Sequence, residues 1–466
     1  MPRDVAIAAA QGTLDSGEFE TELARLVAEP TESQRPEGLP HCRRYLTDFM
    51  APRFEAMGFS VRLFDNPAPG AGPVLLATRI EGADLPTVLG YGHGDVVRGM
   101  EGRWTKGAGP WVTAREGERL YGRGTADNKG QHLIDMTALR AVLDTRGRLG
   151  FNAKFMIETG EETGSRGLGE IISANREAFS ADVMIGSDGP RVRPERPTVS
   201  LGCRGAVNFD LVVRLREGGH HSGNWGGALA DPAAILAHAL ATVVGPTGRI
   251  EVPEWRPAPP SNLVRSLLAD VTLDPGPEGP VPDPDWGEPG LSPAENVHAF
   301  NSFAVLAMAA GDMANPVNAI QPEARAHCQL RFIAGTDVEG ILPALRRHLD
   351  ARGFERVEIA APSGGNDGGF AASRTEPDHP WAVRVRESLA RTAGAPPAVI
   401  PQMGGSICNE IFTELLGIPA IWLPHSYSAC SQHAPDEHVL MPLCREALGL
   451  MAGLYWDLGE GGAAAA

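Results

Sequence analysis

The 466-residue sequence predicts an α/β fold into which a smaller α+β domain is inserted. One compact core does not hold a chain of this length, so two domains are expected. Strands and helices alternate over roughly the first 200 residues, a different order occupies the middle, and the alternation then returns. These observations predict one domain formed by residues 1–200 and 365–466, and an inserted domain at 201–364.

The first part of the chain alternates apolar runs with helical patterns. Runs rich in Val and Leu at 74–80 and 86–92 predict two strands. Leu133 and Met136 begin a series with helical spacing, which predicts a helix over 130–145. The next predicted elements are a strand at 153–158, a helix at 166–178 and a strand at 181–187. This alternation favours a parallel or mixed sheet with helices on both faces.

The middle part has the order strand–helix–strand, repeated once. Its first helix begins near Asp231-Pro232, with Asp as N-cap and Pro at the first helical position. The other predicted elements are strands around 207–211, 302–309, 324–332 and 356–361, and a helix at 337–351. The order is that of a ferredoxin-like α+β domain. A stretch rich in Pro and Gly at 252–290 is interpreted as a long surface excursion.

The last part returns to the α/β pattern. The Gly- and Ser-containing segment Pro362–Gly369 is interpreted as a linker. Helices near 380–393 and 406–416 and a strand at 418–423 follow it.

Composition and charge exclude several classes of protein. The formal net charge of −17 argues against nucleic acid as a partner, because phosphates would be repelled. No apolar stretch reaches the ~18 residues of a membrane span, and residues 5–10 are too short to predict a signal peptide. Six scattered cysteines without a Cys-x-x-Cys pair indicate buried thiols in a reducing cytoplasm. Cys408 and Cys430 lie near the candidate site, but their spacing does not predict metal ligands.

Side chains of the types that can bind metal ions follow several predicted strands. His93 and Asp95 stand at the end of the first such strand. They are either a metal ligand and a partner that orients it, or an ordinary pair of loop residues. Asp127 precedes a helix and is a candidate ligand or a plain N-cap. Glu161 and Glu162 repel each other unless a positive charge lies nearby. One of these two carboxylates would bind metal and the other act as general base, or both form a solvated acidic turn.

Two further sites complete this set. Asp188 follows the apolar strand at 181–187, and His433 lies in a loop after the strand at 418–423. Each position alone is weak evidence. Together the histidines and carboxylates suit hydrolytic zinc, with manganese or cobalt as alternatives, at one edge of an α/β sheet. The Gly-rich segment 122–130 lacks the order of a phosphate-binding loop.

The order of these motifs resembles a known family. Gly-His-x-Asp, Gly-Arg-Gly-x-x-Asp-x-Lys-Gly, Glu-Glu-x-Gly-Ser, a later Asp and a late His span residues 92–433. This resembles the zinc metallopeptidase family of carnosinase, acetylornithine deacetylase, succinyl-diaminopimelate desuccinylase, aminoacylase and glutamate carboxypeptidase. The resemblance implies a catalytic α/β domain interrupted by a ferredoxin-like lid, which usually also forms a homodimer.

The resemblance also implies a role for each motif residue. His93 and Asp188 would bind one metal ion, Glu162 and His433 a second, and Asp127 both. Asp95 would orient His93, and Glu161 would be the general base. Asn128 stands where many relatives have a second Asp, at a position that is not expected to bind metal. His433 is favoured over His425 and His438 because Asp436-Glu437 follows it with the family's spacing.

The inserted domain and one late loop resemble substrate-binding parts of the family. His221, preferred over His220 because Ser-Gly follows it, would stabilise the oxyanion, in some relatives across a dimer. Asn318 and Arg331 resemble substrate-binding positions, with a turn residue and a strand-surface charge as the alternatives. Gly404, Gly405 and Ser406 resemble the loop that holds the substrate carboxylate, where free backbone N–H groups would face an anion.

The resemblance implies hydrolysis of an amide bond in a small peptide or an N-acyl amino acid. Aspartate at position 188 favours a dipeptidase, since Glu there is commoner among the family's carboxypeptidases and deacylases. The runner-up is an N-acyl amino-acid amidohydrolase. A non-catalytic binding or assembly protein is disfavoured, because all the positions expected to bind metal or act as base are filled.

Overall fold

The computed structural model of the chain describes residues 2–273, 280–362 and 370–460. The first part contains β1 (Ser60–Phe64), β2 (Val74–Arg79), β3 (Thr87–His93), β4 (Ala114–Glu116), β5 (Arg119–Tyr121), β6 (Asn152–Glu158), β7 (Val183–Gly186), β8 (Pro190–Arg191) and β9 (Thr198–Ser200). Its helices are α1 (Pro2–Asp15), α2 (Glu18–Val27), α3 (Leu39–Arg44), α4 (Ala51–Ala56), α5 (Lys129–Arg146), α6 (Leu168–Ala174) and α7 (Arg176–Phe179). The helix predicted over 166–178 is therefore two short helices, because Asn175 between them has a non-helical backbone.

The middle part contains the predicted strand–helix–strand order twice, with additional short elements. Its strands are β10 (Gly202–Cys203), β11 (Gly205–Arg214), β12 (His220–His221), β13 (Ser302–Ala309), β14 (Ala319–Ile320), β15 (Glu323–Phe332) and β16 (Glu358–Ala360). Its helices are α8 (Ser222–Trp225), α9 (Pro232–Val243), α10 (Asn262–Leu268), α11 (Pro293–His298) and α12 (Ile341–Asp350). As predicted, Asp231 caps α9, where its carboxylate accepts the backbone N–H groups of Ala233 and Ala234.

The last part contains β17 (Ser373–Arg374), α13 (Pro380–Ala393), β18 (Ala398–Ile400), β19 (Ala420–Trp422), β20 (Ser426–Tyr427), β21 (His438–Leu440) and α14 (Met441–Glu460). The helix predicted near 406–416 is shorter and contains a π-helical stretch, Ile411–Leu416. None of the described helices combines the length and the apolar character that a membrane span requires.

The main sheet has the strand order β1-β2-β6-β3-β7-β19-β9-β18. Its centre, β6, β3, β7 and β19, is parallel, whereas β1 and β2 are antiparallel additions at one edge. Buried side chains of α1, α5, α13 and α14 cover one face, and those of α6 and α7 lie on the other. The predicted mixed sheet with helices on both faces is present, and it draws strands from both the first and the last part of the chain.

A second sheet, β13-β15-β11-β16, is antiparallel throughout and consists of residues from the middle part only. Along β15 buried and partly exposed side chains alternate, and the buried ones pack against α9 and α12. The predicted boundary between residues 200 and 201 falls between β9 of the main sheet and β11 of this second sheet. The predicted boundary between residues 364 and 365, and most of the predicted linker, lie outside the described residues.

The prediction of a surface excursion at 252–290 is wrong for part of that segment. Val264 and Leu268 of α10, and Val271 after it, are buried in the core on the main sheet's second face. Sequence composition concealed this packing, because prolines and glycines surround a short apolar helix whose partners lie far away in the chain. The described residues of this segment therefore connect the second sheet to the main sheet.

Candidate metal centre

The carboxyl ends of three neighbouring parallel strands bring the predicted motifs together. His93 is the last residue of β3, Glu161 and Glu162 follow β6, and Asp188 follows β7. The sheet order places β3 between β6 and β7, so these side chains converge at one edge.

Asp127 is held at the same edge by a loop that precedes α5. The buried carboxylate of Glu437 accepts the backbone N–H groups of Gly124, Ala126 and Asp127 at 2.9–3.0 Å. The other oxygen of Glu437 accepts a 2.7 Å hydrogen bond from Arg123, and both side chains are about 1% exposed. The residue at the N-cap position of α5 is Asn128, so Asp127 is not the plain helix cap that was its alternative.

The first group of metal-type donors consists of His93, Asp127 and Asp188. His93 Nε2 lies 3.1 Å from Asp127 Oδ1 and 3.6 Å from Asp188 Oδ2. All three residues are buried, and one donor atom of each lies within 4.8 Å of the others.

The second group consists of Asp127, Glu162 and His433. His433 Nε2 lies 3.0 Å from Asp127 Oδ2 and 3.1 Å from Glu162 Oε2. His433 has a φ of 60°, a left-handed conformation that is uncommon outside glycine. Since Asp127 belongs to both groups through different oxygens, the two groups adjoin. Of the other late histidines, His438 Nδ1 contacts the carbonyl of Asp436, and His425 belongs to neither group.

Asp95 lies directly behind these donors. Its backbone carbonyl is 3.0 Å from His93 Nδ1, and its carboxylate Oδ1 is 3.5 Å from the same nitrogen. The carboxylate also accepts the backbone N–H groups of Glu161 and Glu162 at 3.3 and 3.1 Å. Asp95 thus contacts His93 and the turn that carries both glutamates.

The electrostatics of the cluster reflect buried carboxylates close to one another. Burial, reinforced by the charge of Asp127, raises the pKa of Glu162 to about 7. Burial also raises the pKa of Asp188 to about 6, although the nearby charge of His93 acts in the opposite direction. Burial also raises the pKa of Glu161 well above its usual range. Hydrogen bonds to Asp127 and Glu162 raise the pKa of His433 to about 11. A positive charge between the carboxylates would relieve this repulsion.

One buried atom fits a metal ion in particular. Glu162 Oε1 is buried and has no hydrogen-bond partner among the described residues, although its sister oxygen contacts His433. An unpartnered buried carboxylate oxygen is costly, and coordination to a cation would satisfy it. Imidazole nitrogens and carboxylate oxygens are also the ligands found in hydrolytic zinc sites. The donor set therefore fits two divalent cations that share Asp127.

A cavity of about 460 Å³ opens onto both donor groups. Asp127, Asp188 and His433 line it, and so does Glu161. Gly404, Gly405 and Ser406 form another part of its wall. Arg331 on β15 reaches this loop, where its Nη1 donates to Ser406 Oγ at 3.1 Å.

His221 and Asn318 lie elsewhere on the surface. Both are exposed, and neither belongs to the residues that line the cavity. They are neighbours, because His221 on β12 pairs with Ala319 on β14, and the carbonyl of Asn318 accepts the N–H of Ser222. Thus neither His221, predicted to stabilise the oxyanion, nor Asn318, predicted to bind the substrate, lines the cavity beside the donor groups.

Two residues near the site were not predicted from the sequence. Gln432 Nε2 donates to Asp127 Oδ2 at 2.6 Å. Arg204 is buried at the start of the second sheet and donates twice, at 3.0 and 3.1 Å, to the carbonyl of Gly404. Ser406 Oγ in turn donates to the carbonyl of Arg204 at 2.6 Å. Gln432 could have been predicted to lie near the site because it precedes His433 in the sequence. For Arg204, no local sequence pattern indicates a contact with a residue two hundred positions away.

Glu437→Gln is expected to lower the free energy of unfolding by about 3–5 kcal/mol, because it leaves the buried Arg123 guanidinium without its counter-charge. Chemical denaturation measures this change. The matched control is Glu376→Gln, which breaks the surface pair with Arg374 and should cost at most about 1 kcal/mol. Equal effects of the two substitutions would contradict a structural role for the buried pair.

Comparison with known proteins identifies the family. Residues 89–456, more than half of the chain, match Peptidase family M20/M25/M40. The chain is 27% identical over 396 residues to a cysteinylglycine-S-conjugate dipeptidase of Corynebacterium striatum, covering 83% of each chain. It is 33% identical over 254 residues to the Beta-Ala-His dipeptidase of Homo sapiens, covering 52% of this chain and 49% of that protein. The alignment thus spans about half the length of the human relative.

Solved structures share the fold. Human carnosine dipeptidase 1 superposes with a TM-score of 0.77 at 22% identity, covering 97% of this chain and 99% of the other. The dipeptidase Dug1p of Saccharomyces cerevisiae superposes with a TM-score of 0.75 at 19% identity, covering 99% of this chain and all of the other. The chain belongs to peptidase family M20/M25/M40 and is an enzyme of the metallopeptidase class. The family resemblance predicted from the sequence motifs is confirmed.

Proposed function

We propose that this chain hydrolyses dipeptides with two divalent metal ions, preferentially zinc, bound at the candidate metal centre. The observation that carries the proposal is the pair of donor groups that share Asp127 and open, beside Glu161, onto one cavity. The relatives named as dipeptidases support this choice of substrate.

His93 and Asp188 would hold one ion, Glu162 and His433 the other, and Asp127 both. Manganese or cobalt would also suit these ligands, but nitrogen and carboxylate donors at a hydrolytic site favour zinc. Bound divalent ions supply Lewis acidity, which activates a water molecule and polarises the carbonyl of the scissile amide. Asp95 positions His93 and the glutamate turn through its contacts with both.

Glu161 is the proposed general base. It lines the cavity beside the donors, and its burial there raises the pKa of its carboxyl well above the usual range, which favours acceptance of a proton. Glu161 takes a proton from the attacking water, whose oxygen bonds to the amide carbon. The carbon–nitrogen bond then breaks, and the same proton passes from Glu161 to the leaving nitrogen.

The Gly404–Ser406 loop is the proposed binding site for the carboxylate of the substrate. The loop lines the cavity, and Arg331 places a positive charge 3.1 Å from Ser406 Oγ. Arg204 is a positioning residue in this scheme, because its two hydrogen bonds hold the carbonyl of Gly404. Asn318 would contact the substrate only after the second sheet moved toward the main sheet.

A parallel screen of dipeptides and N-acyl amino acids with zinc-loaded protein tests this function. Dipeptides are expected to give the larger kcat/KM values. Faster hydrolysis of N-acyl amino acids would make the chain an amidohydrolase of that kind instead. No turnover of either class by metal-loaded protein would overturn the enzymatic proposal.

We further propose that the second sheet forms a lid and the interface of a homodimer. Strand β13 is at the edge of this sheet, and Val305, Leu306 and Met308 on it are 40–52% exposed. An exposed apolar edge strand is a surface that a second copy of the chain would cover. A second copy, or closure of the sheet, would also bring the exposed His221 toward a cavity that it does not line.

His221→Ala is expected to lower kcat by about 10²–10³-fold with metal content unchanged, because one oxyanion donor contributes that much. If His221 acts across the dimer, heterodimers of His221→Ala with Glu161→Gln should recover part of the activity. One of their two sites would contain an intact Glu161 and an intact His221 from the partner. Verified heterodimers without recovered activity would contradict donation between chains.

The cysteines support the predicted cytoplasmic location. All six are free and buried, as expected of a protein in a reducing compartment. Burial raises the pKa of the Cys203 thiol to about 12, which keeps that thiol protonated and unreactive.

A further inference from the structure

The cavity at the metal centre extends well beyond the metal-type donors. Its volume of about 460 Å³ is within the usual range, ~300–1,000 Å³, for small-molecule sites. Away from the donors its lining is largely apolar, and the apolar residues are Pro190, Val192, Leu273, Pro280, Pro282, Val297, Ile400, Met403 and Ile407. Such a lining favours an apolar group over water.

One wall of this cavity includes Leu273, Pro280 and Pro282, which belong to the segment 252–290 that the sequence placed on the surface. We call residues 256–273 and 280–298 the wall segment; its Val297 and His298, which follow the predicted excursion, also line the cavity. The wall segment is fixed to the main sheet, because its α10 is buried there and Asp270 accepts a 2.7 Å hydrogen bond from Arg196. The wall therefore stays beside the metal centre even if the second sheet moves.

The wall segment touches the proposed carboxylate-binding loop directly. His298 Nδ1 lies 2.9 Å from the carbonyl of Gln402. A Cβ atom at Gly404 would lie 2.9 Å from Val297 Cγ1, so the loop and the wall segment approach each other closely at this glycine. A substrate residue whose carboxylate lies on Gly404–Ser406 would consequently have Val297 and Met403 beside its own side chain.

Away from the metal centre, the described wall of the cavity contains one cationic side chain, Arg191. Arg191 is buried; its Nη1 donates to Glu446 and to the carbonyl of Pro194, and its Nη2 has no hydrogen-bond partner among the described residues. Burial lowers the pKa of His298 to about 4, so this imidazole is neutral at pH 7. The remaining charged lining residues are Asp127, Glu161, Asp188 and His433 of the metal centre. Among the described residues, the wall away from the metal centre therefore has no carboxylate to pair with a cationic substrate side chain.

We propose that Val297, Ile400 and Met403 form the pocket for the side chain of the C-terminal residue of a dipeptide. The pocket selects a bulky apolar side chain over glycine and over a cationic residue. This inference rests on the proposed dipeptidase function and names the substrate class for it. Burial of a leucine- or phenylalanine-sized side chain contributes enough to raise kcat/KM by about 10–10²-fold over glycine.

Kinetics with a matched set of dipeptides tests the pocket. Ala-Leu and Ala-Phe should exceed Ala-Gly in kcat/KM by about 10–10²-fold, and Ala-Lys should fall below the apolar pair. Leu-Gly should differ from Ala-Gly much less, since the pocket holds the C-terminal residue. Equal values for Ala-Phe and Ala-Gly would overturn the pocket but leave the dipeptidase function intact. Absence of all dipeptide hydrolysis by the metal-loaded protein would overturn both.

Substitutions in the wall provide the second arm of the test. Val297→Asp should reduce kcat/KM for Ala-Phe at least about 10-fold more than for Ala-Gly. Val297→Trp, which fills the pocket without charge, should shift the preference in the same direction. The matched control is Val281→Asp, because Val281 is 89% exposed and does not line the cavity. Metal content checks the folding of each variant, and an unchanged preference in both Val297 variants would overturn the proposal.

Discussion

Glu161→Gln is expected to lower kcat for dipeptide hydrolysis by about 10²–10⁴-fold, the usual contribution of a general base. Glutamine keeps the size of the side chain but cannot accept a proton from water. Because Glu161 belongs to neither donor group, both metal ions should remain bound. Steady-state kinetics and elemental analysis of the same preparation measure the two effects.

The adjacent residue provides the control for this prediction. Glu162 contacts His433 at 3.1 Å and belongs to the second donor group. Glu162→Gln should therefore lose or weaken one metal ion. The opposite pattern, with metal loss in Glu161→Gln and metal retention in Glu162→Gln, would exchange the two roles.

Asp127→Ala is expected to lower activity by more than about 10³-fold, because it removes the carboxylate that both donor groups share. Binding of both ions should weaken. Asp188→Ala, which affects one group only, should weaken one ion and leave the other. Calorimetric metal titration of the two variants measures the difference, and full binding of two ions by Asp127→Ala would contradict the shared position.

Much of the candidate metal centre was predictable because its residues follow strands that have clear apolar patterns. His93, Glu162 and Asp188 each stand at or just beyond the end of a buried strand, and parallel strands end at one edge of a sheet. The family motifs then assigned Asp127 to both groups, and the donor atoms are arranged accordingly. Order along the chain was thus enough to bring these side chains together.

The parts that could not be predicted depend on contacts between distant segments. Helix α10 is too short for its apolar pattern to distinguish burial from exposure, so the part of the wall segment up to residue 290 was interpreted as surface. Arg204 donates to the carbonyl of Gly404, a partner that no local pattern indicates. The exposure of His221 likewise depends on how the second sheet lies against the main sheet, which periodicity does not determine.

We propose that two metal ions bound at this edge make the chain a dipeptidase. Stepwise addition of zinc to chelator-treated protein, with bound metal and dipeptide hydrolysis followed in the same samples, tests this requirement for metal. The predicted result is no hydrolysis without metal, full activity on restoration, and saturation at two ions per chain. Hydrolysis by the metal-free protein, or full activity with fewer than two ions bound, would contradict the claim.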